Sequence, residues 1–159
     1  IPFVHEGLSK NLNYTEYNTE LFKYSNLQLG VGKNENECFD IPKNSIDYGK
    51  KIAAYYFWLF PNLMFNFYPW GLSINIIIPM ETEKTKVKFL SYIWDHSKLN
   101  LGAGADIDKV EKEDEEIVEQ VQRGVKSRFY DKGHFSPTME KGVHHFHLLL
   151  SYFLDTNSK

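Results

Sequence analysis

The sequence predicts an α+β fold in which a long helix lies on an antiparallel sheet. Three observations lead there. The middle of the chain is a series of β-patterned runs, AAYYFWLFP, LMFNFYP and GLSINIIIPM. The connections between them are short, which joins antiparallel neighbours. The later stretch KVEKEDEEIVEQVQRG (109–124) repeats its apolar residues at steps of three and four, the helical period. A helix of this kind buries its apolar stripe against the sheet, giving a layered domain.

The elements follow in order. Residues 1–22 read as helical turns and loop around His5, with NYTEYNTELF leading into the first strand. YSNLQLGVG (24–32) alternates like a strand and stops at glycine. KNENECFDIPKNSIDYGK (33–50) is polar, contains proline, and reads as an exposed connection. AAYYFWLFP (53–61) is aromatic and ends at Pro61; LMFNFYP (63–69) follows. In GLSINIIIPM (71–80), Leu72, Ile74, Ile76 and Ile78 alternate with Ser73 and Asn75. The polar turn ETEKT then leads to KVKFLSYIWD (86–95). HSKLNLGAGA (96–105) is rich in Gly and Ala and is expected to be mobile. The long helix should cover about 106–130, YDKGHFSPTMEKG (130–142) a loop, and VHHFHLLLSYFL (143–154) a second, mostly apolar helix.

Composition narrows the function. The chain has 159 residues, 42% of them hydrophobic and 16% aromatic, which suits one globular domain with its own core. Its net charge is −3 and no Lys/Arg cluster stands out, which argues against a nucleic-acid partner. The longest apolar runs are too short to span a bilayer. Cys38 is the single cysteine, so no intrachain disulfide can form, as fits a reducing cytoplasm. One cysteine also rules out an all-cysteine zinc site or an iron–sulfur cluster built from this chain alone. The chain opens on Ile1 directly into IPFVHEGL and is expected to be a piece of a longer protein.

The long helix carries an anomaly. Ile107, Val110, Ile117, Val118, Val121, Val125 and Phe129 share one stripe, and Asp114 falls within roughly 10° of its centre at about 100° per residue. Glu113, Glu116 and Glu119 point away from the stripe, and Glu111 and Glu115 lie at its flanks. A buried carboxylate without a partner is costly. Asp114 is therefore expected to meet a base such as Arg128, a set of hydrogen-bond donors, or a metal, in a cavity between helix and sheet. His5 is a candidate imidazole ligand. His144 and His147, at i and i+3 in HHFH, could share a helix face, but they lack the Glu of the helical zinc-protease motif. A two-histidine, one-carboxylate Fe(II) site would take Asp114, His5 and one more histidine, leaving positions open for O2 and substrate. The block Tyr55–Trp70 reads as core, part of which could line an apolar pocket or a cage for a cationic ligand.

IPFVHEGL, YFWLFPNLMFNFYPWG, DEEIVEQVQRGVKSRFYDKGHFSP and EKGVHHFHLLLSYFL, taken together and in this order, resemble the catalytic domain of Rieske non-haem iron oxygenases. This is the α-subunit family of ring-hydroxylating dioxygenases and choline monooxygenase. The D-E-x-I-V-E-x-V-Q-x-G helix and G-V-H-H-F-H are the strongest pieces. YDKGH and HHFH look closest to the choline monooxygenase branch. The resemblance implies a helix-grip (START-like) α+β fold and a mononuclear Fe(II) held by two histidines and an aspartate. His5 matches the second histidine of the family's D-x-x-H-x-x-x-x-H, and Asp114 matches the carboxylate. The first histidine would precede Ile1, and HHFH becomes packing.

Residues 1–159 are then expected to be one catalytic-domain fragment. The N-terminal Rieske [2Fe-2S] domain is missing from it, so the fragment alone is expected to be inactive. Also implied are NAD(P)H as electron source through a reductase or ferredoxin, O2, and a small aromatic or quaternary-amine substrate to be hydroxylated or demethylated. The intact subunit is expected to form a homotrimer in the cytoplasm. Ile107, Val110 and Trp70 are the expected pocket-lining residues. The rival readings are an iron-free helix-grip domain that binds a small ligand, and a structural or assembly role.

Overall fold

The computed structural model describes residues 11–156. Its centre is a six-stranded sheet in which every strand pairs antiparallel with its sequence neighbours. The strands are β1 (Asn18–Leu21), β2 (Ser25–Val31), β3 (Ile52–Leu59), β4 (Leu63–Tyr68), β5 (Gly71–Glu81) and β6 (Lys84–Ile93). Two helices follow, α1 (Ile107–Val125) and α2 (Lys141–Thr156). The α+β class expected from the sequence is the one observed. β1 was not legible as a strand: NTEL has no alternation to announce it, and it exists because its backbone pairs with β2, Thr19 opposite Gln28.

Both helices lie on one face of the sheet. Trp58 on β3 meets Phe146 of α2 edge-on with ring centres 5.3 Å apart, and Phe60 stacks on Phe153 at 5.0 Å. Aromatic pairs of this kind add to the area they bury. The register makes this the more polar face. A line of partners crosses all six strands as Thr19, Gln28, Tyr56, Asn66, Ser73 and Ser91. The alternating apolar set, Phe57, Phe65, Leu72, Ile74 and Ile76 among them, points to the other side.

One consequence is that α1 does not bury its stripe as expected. None of its residues is fully buried, and Val118 and Val121 are exposed. The helix stands off the sheet, and cavities fill the gap.

The compact core sits at one end of the sheet, where Leu12, Cys38, Ala53, Ala54, Tyr68, Trp70 and Ala103 cluster. The glycine-rich segment expected to be mobile is part of it. Gly102, Ala103 and Gly104 form a buried 3-10 turn, and the Gly104 carbonyl accepts a 3.2 Å hydrogen bond from the Trp70 indole N–H. Glycine is required there because a Cβ on Gly104 would collide with the Trp70 and Tyr68 rings. Small residues that looked like a flexible linker thus serve close packing.

Candidate functional site between helix and sheet

Asp114 lines a cavity of about 460 Å³ enclosed by α1 and the polar face of the sheet. From α1 come Ile107, Val110, Glu111 and Asp114, spaced i, i+3, i+4 and i+7 so that they project from one side of the helix. From the sheet side come Tyr17, Gln28, Tyr56, Asn66, Tyr68 and Asn75, and from the loop before α2 comes Met139. A second cavity, of about 940 Å³, continues along the same helix past Glu115, Val118 and Glu119. Gln28, Met64 and Met139 line both.

The expected residues are distributed as follows. Ile107 and Val110 line the first cavity, as the stripe required. Trp70 does not: it is 1% exposed, stacks on Tyr68 at 5.3 Å, and belongs to the core behind the cavity wall. The sequence marked it as an aromatic near the sheet but not which way its ring turns. Asp114 faces the cavity, yet its side chain remains exposed rather than buried, because α1 stands off the sheet. Arg128 lies beyond the end of α1 with its guanidinium over the Phe129 ring at 4.7 Å. His5 lies outside the described residues. His144 and His147 pack against Phe135, with ring centres 5.1 and 5.2 Å away, and no group of three or more metal-ligating side chains occurs among the described residues.

Sequence reasoning put Glu111 at the flank of the stripe; the structure puts it in the cavity, half-buried. Its carboxyl is pushed up to about 7, first by loss of water and then by the charges of Asp108, Glu115 and Asp114. Opposite stand three phenols. Burial raises Tyr17 to about 12 and holds Tyr56 well above its ordinary value; each interacts with the other's hydroxyl. Burial also raises Tyr68, with Glu111 and Asp114 contributing. The Tyr56 and Tyr68 rings meet edge to face at 5.9 Å.

The described lining of this cavity has two carboxyl groups, three phenols and three amides, and no Lys, Arg or His. Burial and the neighbouring acids together favour the protonated form of Glu111, and a cation near it would favour the ionised form. Asp114 is a carboxylate of this lining that could serve as one ligand of a cation, with its remaining ligands outside the described residues.

The chain has relatives among known proteins. Residues 42–155 match the family model described as ring hydroxylating alpha subunit (catalytic domain). The chain is 34% identical to the chloroplastic choline monooxygenase of Arabidopsis thaliana, over 97% of this chain and 36% of that protein. It is 29% identical to the carnitine monooxygenase oxygenase subunit of Escherichia coli (strain K12), over 92% of this chain and 41% of that one. It thus spans about a third of the choline monooxygenase it matches. The crystal structure of a quaternary ammonium Rieske monooxygenase superposes with a TM-score of 0.67 at 21% identity, covering 94% of this chain and 41% of that one. That likeness establishes the shared fold.

Proposed function

We propose, on the premise that this chain belongs to the ring hydroxylating alpha subunit (catalytic domain) family, that it is the catalytic domain of a longer Rieske-type oxygenase. The proposed substrate is a small quaternary amine, which the intact subunit oxidises with O2. The observation that carries the substrate class is the cavity wall of Glu111, Asp114, Tyr17, Tyr56 and Tyr68, with no basic side chain in its described lining. Carboxylates attract a fixed positive charge, and phenol rings offer it their electron-rich faces.

His5 and Asp114, with a histidine from the preceding sequence, are the residues that would hold Fe(II). Held there, the metal would supply the activation of O2. The chain's own residues do the rest. Asp114 offers its carboxylate from the helix wall. Ile107 and Val110 exclude water from the apolar end of the cavity. Tyr17, Tyr56 and Tyr68 stay protonated at neutral pH, since burial raises all three, so they act as neutral donors and ring faces. Electrons would arrive from NAD(P)H through a reductase or ferredoxin and a Rieske [2Fe-2S] cluster outside these residues. In the proposed homotrimer the cluster is that of a neighbouring subunit. A quaternary ammonium Rieske monooxygenase of the same fold passes electrons between its own subunits, which supports this arrangement. The cytoplasm is the proposed compartment, Cys38 being a buried free thiol; the choline monooxygenases of Arabidopsis thaliana and Beta vulgaris are chloroplastic.

The test is turnover by the intact, iron-loaded subunit with its reductase, offered quaternary amines and neutral aromatic compounds in parallel under labelled O2. Oxidation of the amine with label in the oxidised amine or in the carbonyl fragment released from it is the expected result. Oxidation of the aromatic compounds alone would overturn the substrate class.

A further inference from the structure

We infer that Asn11 is a positioning residue for the iron site. It ties its own stretch of chain to the turn that starts α1, and so sets where His5 stands relative to Asp114. This rests on the assignment of His5 and Asp114 as metal ligands above and adds a residue that acts through them.

The two ligands belong to segments far apart in the chain. His5 lies six residues before Asn11, and Asp114 lies two turns into α1. A ligand set works only when its members are held to within about 0.5 Å of the binding geometry. The side-chain amide of Asn11 donates a 3.0 Å hydrogen bond to the Gly102 carbonyl, across 91 positions of sequence. Gly102 opens the buried turn that leads into α1. This one bond therefore joins the His5 side of the chain to the Asp114 side.

Both partners of the bond are held by contacts of their own. The Asn11 carbonyl accepts from the Lys33 N–H at 3.0 Å, and the Asn13 N–H donates to the Val31 carbonyl at 2.8 Å. Between them Leu12 pairs with Gly32 and is 0% exposed, in the same core as Ala103. On the other side, Gly102 has a left-handed backbone at φ +66°, and a Cβ there would meet Glu37. Its carbonyl also accepts the Ala105 N–H at 3.2 Å. Ile107, the first residue of α1, packs against that core too. A hydrogen bond between parts already ordered fixes orientation at little further cost in entropy.

Chain length agrees. The six residues from His5 to Asn11 reach at most about 20 Å. Asp114 lies about 10 Å along the helix axis from Ile107. His5 can therefore reach Asp114 from this anchor, and slack in the anchor passes into their separation. The acceptor is a carbonyl, so the anchor needs an N–H donor; leucine has none in its side chain, and neither has an ionised aspartate.

The experiment is anaerobic titration of the intact subunit, depleted of its mononuclear iron, with Fe(II) by calorimetry and with Co(II) by visible absorption. The proteins are wild type, Asn11→Leu, Asn11→Asp, Asn11→Gln, His5→Ala and Phe57→Ala. Phe57 meets Phe67 on the opposite face of the sheet, with ring centres 6.1 Å apart, and serves as a destabilised control. Asn11→Leu and Asn11→Asp should each weaken Fe(II) binding about three- to tenfold, the size of one hydrogen bond, and alter the Co(II) spectrum. Asn11→Gln keeps the donor and should recover part of the loss. Phe57→Ala should lower the melting temperature more than either and bind Fe(II) within about twofold of wild type. Should Asn11→Leu fail to fold, the isosteric Asn11→Asp carries the comparison. Wild-type affinity in a folded Asn11→Leu or Asn11→Asp would overturn the inference, as would an equal loss in Phe57→Ala. His5→Ala should abolish binding. Iron retained there removes the His5 assignment and the inference with it; loss there with none at Asn11 removes the inference alone.

Discussion

At the scale of single residues, α1 makes two acids do different things. Asp114 and Glu111 are one turn apart and face the same cavity, yet only Glu111 is half-buried. Asp114→Ala in the intact subunit should abolish iron binding and turnover while leaving the far-ultraviolet circular dichroism unchanged. Retained stoichiometric iron would remove Asp114 from the metal site. Glu111 has a folded-state value of about 7 against an ordinary 4.5. The folded protein therefore holds a proton that the unfolded chain has released, and this contribution to stability is lost as pH rises from about 4.5 to about 7. In the metal-free protein, Glu111→Gln should lose less melting temperature than wild type across that window. Thermal melts of both proteins at pH 5 and pH 7.5 would show it.

At the scale of elements, the packing that positions α1 and α2 is local and aromatic. The buried turn Gly102–Gly104 leads into α1 through Asp106, whose backbone is left-handed at φ 52°. Gly104→Ala would force the Trp70 and Tyr68 rings apart; overpacking of this kind costs about 1–3 kcal/mol and should show as a lower urea midpoint. On α2, Phe153 stacks on Phe60 and meets the Tyr24 ring with centres 6.0 Å apart. Phe153→Ala should cost about 3 kcal/mol, the low end of aromatic truncation because the ring is only half-buried, and should raise hydrogen exchange in α2 before the sheet. The helices, β2 to β6 and the polar connection at 33–50 were readable from period and turn chemistry. β1 was not, because an edge strand with no alternation is specified by its partner rather than by itself. The segment 96–105 was misread for a related reason: glycine signals freedom in isolation but also permits the closest packing.

At the scale of the whole molecule, the helices cover the polar face of the sheet, and the face holding Phe67 and Leu90 is left partly open, with Trp94 beyond β6 88% exposed. An apolar surface of that kind is unusual for a protein that stands alone. The 159-residue chain by itself should bind a hydrophobic dye strongly and sediment as heterogeneous aggregates, whereas the intact subunit should bind little dye and sediment as one trimeric species. The sequence alone determined the class of fold, the two helices and the placing of Asp114 toward the sheet, because these follow from periodicities that each element carries within itself. Its motifs also pointed to the family. Only the tertiary structure decided that Trp70 is core, that Glu111 shares the cavity, and that Gln28, Tyr56 and Asn66 form one line across three strands. Those facts depend on strand register and on the gap between helix and sheet, which are set by contacts between residues far apart in the chain and leave no local pattern to read.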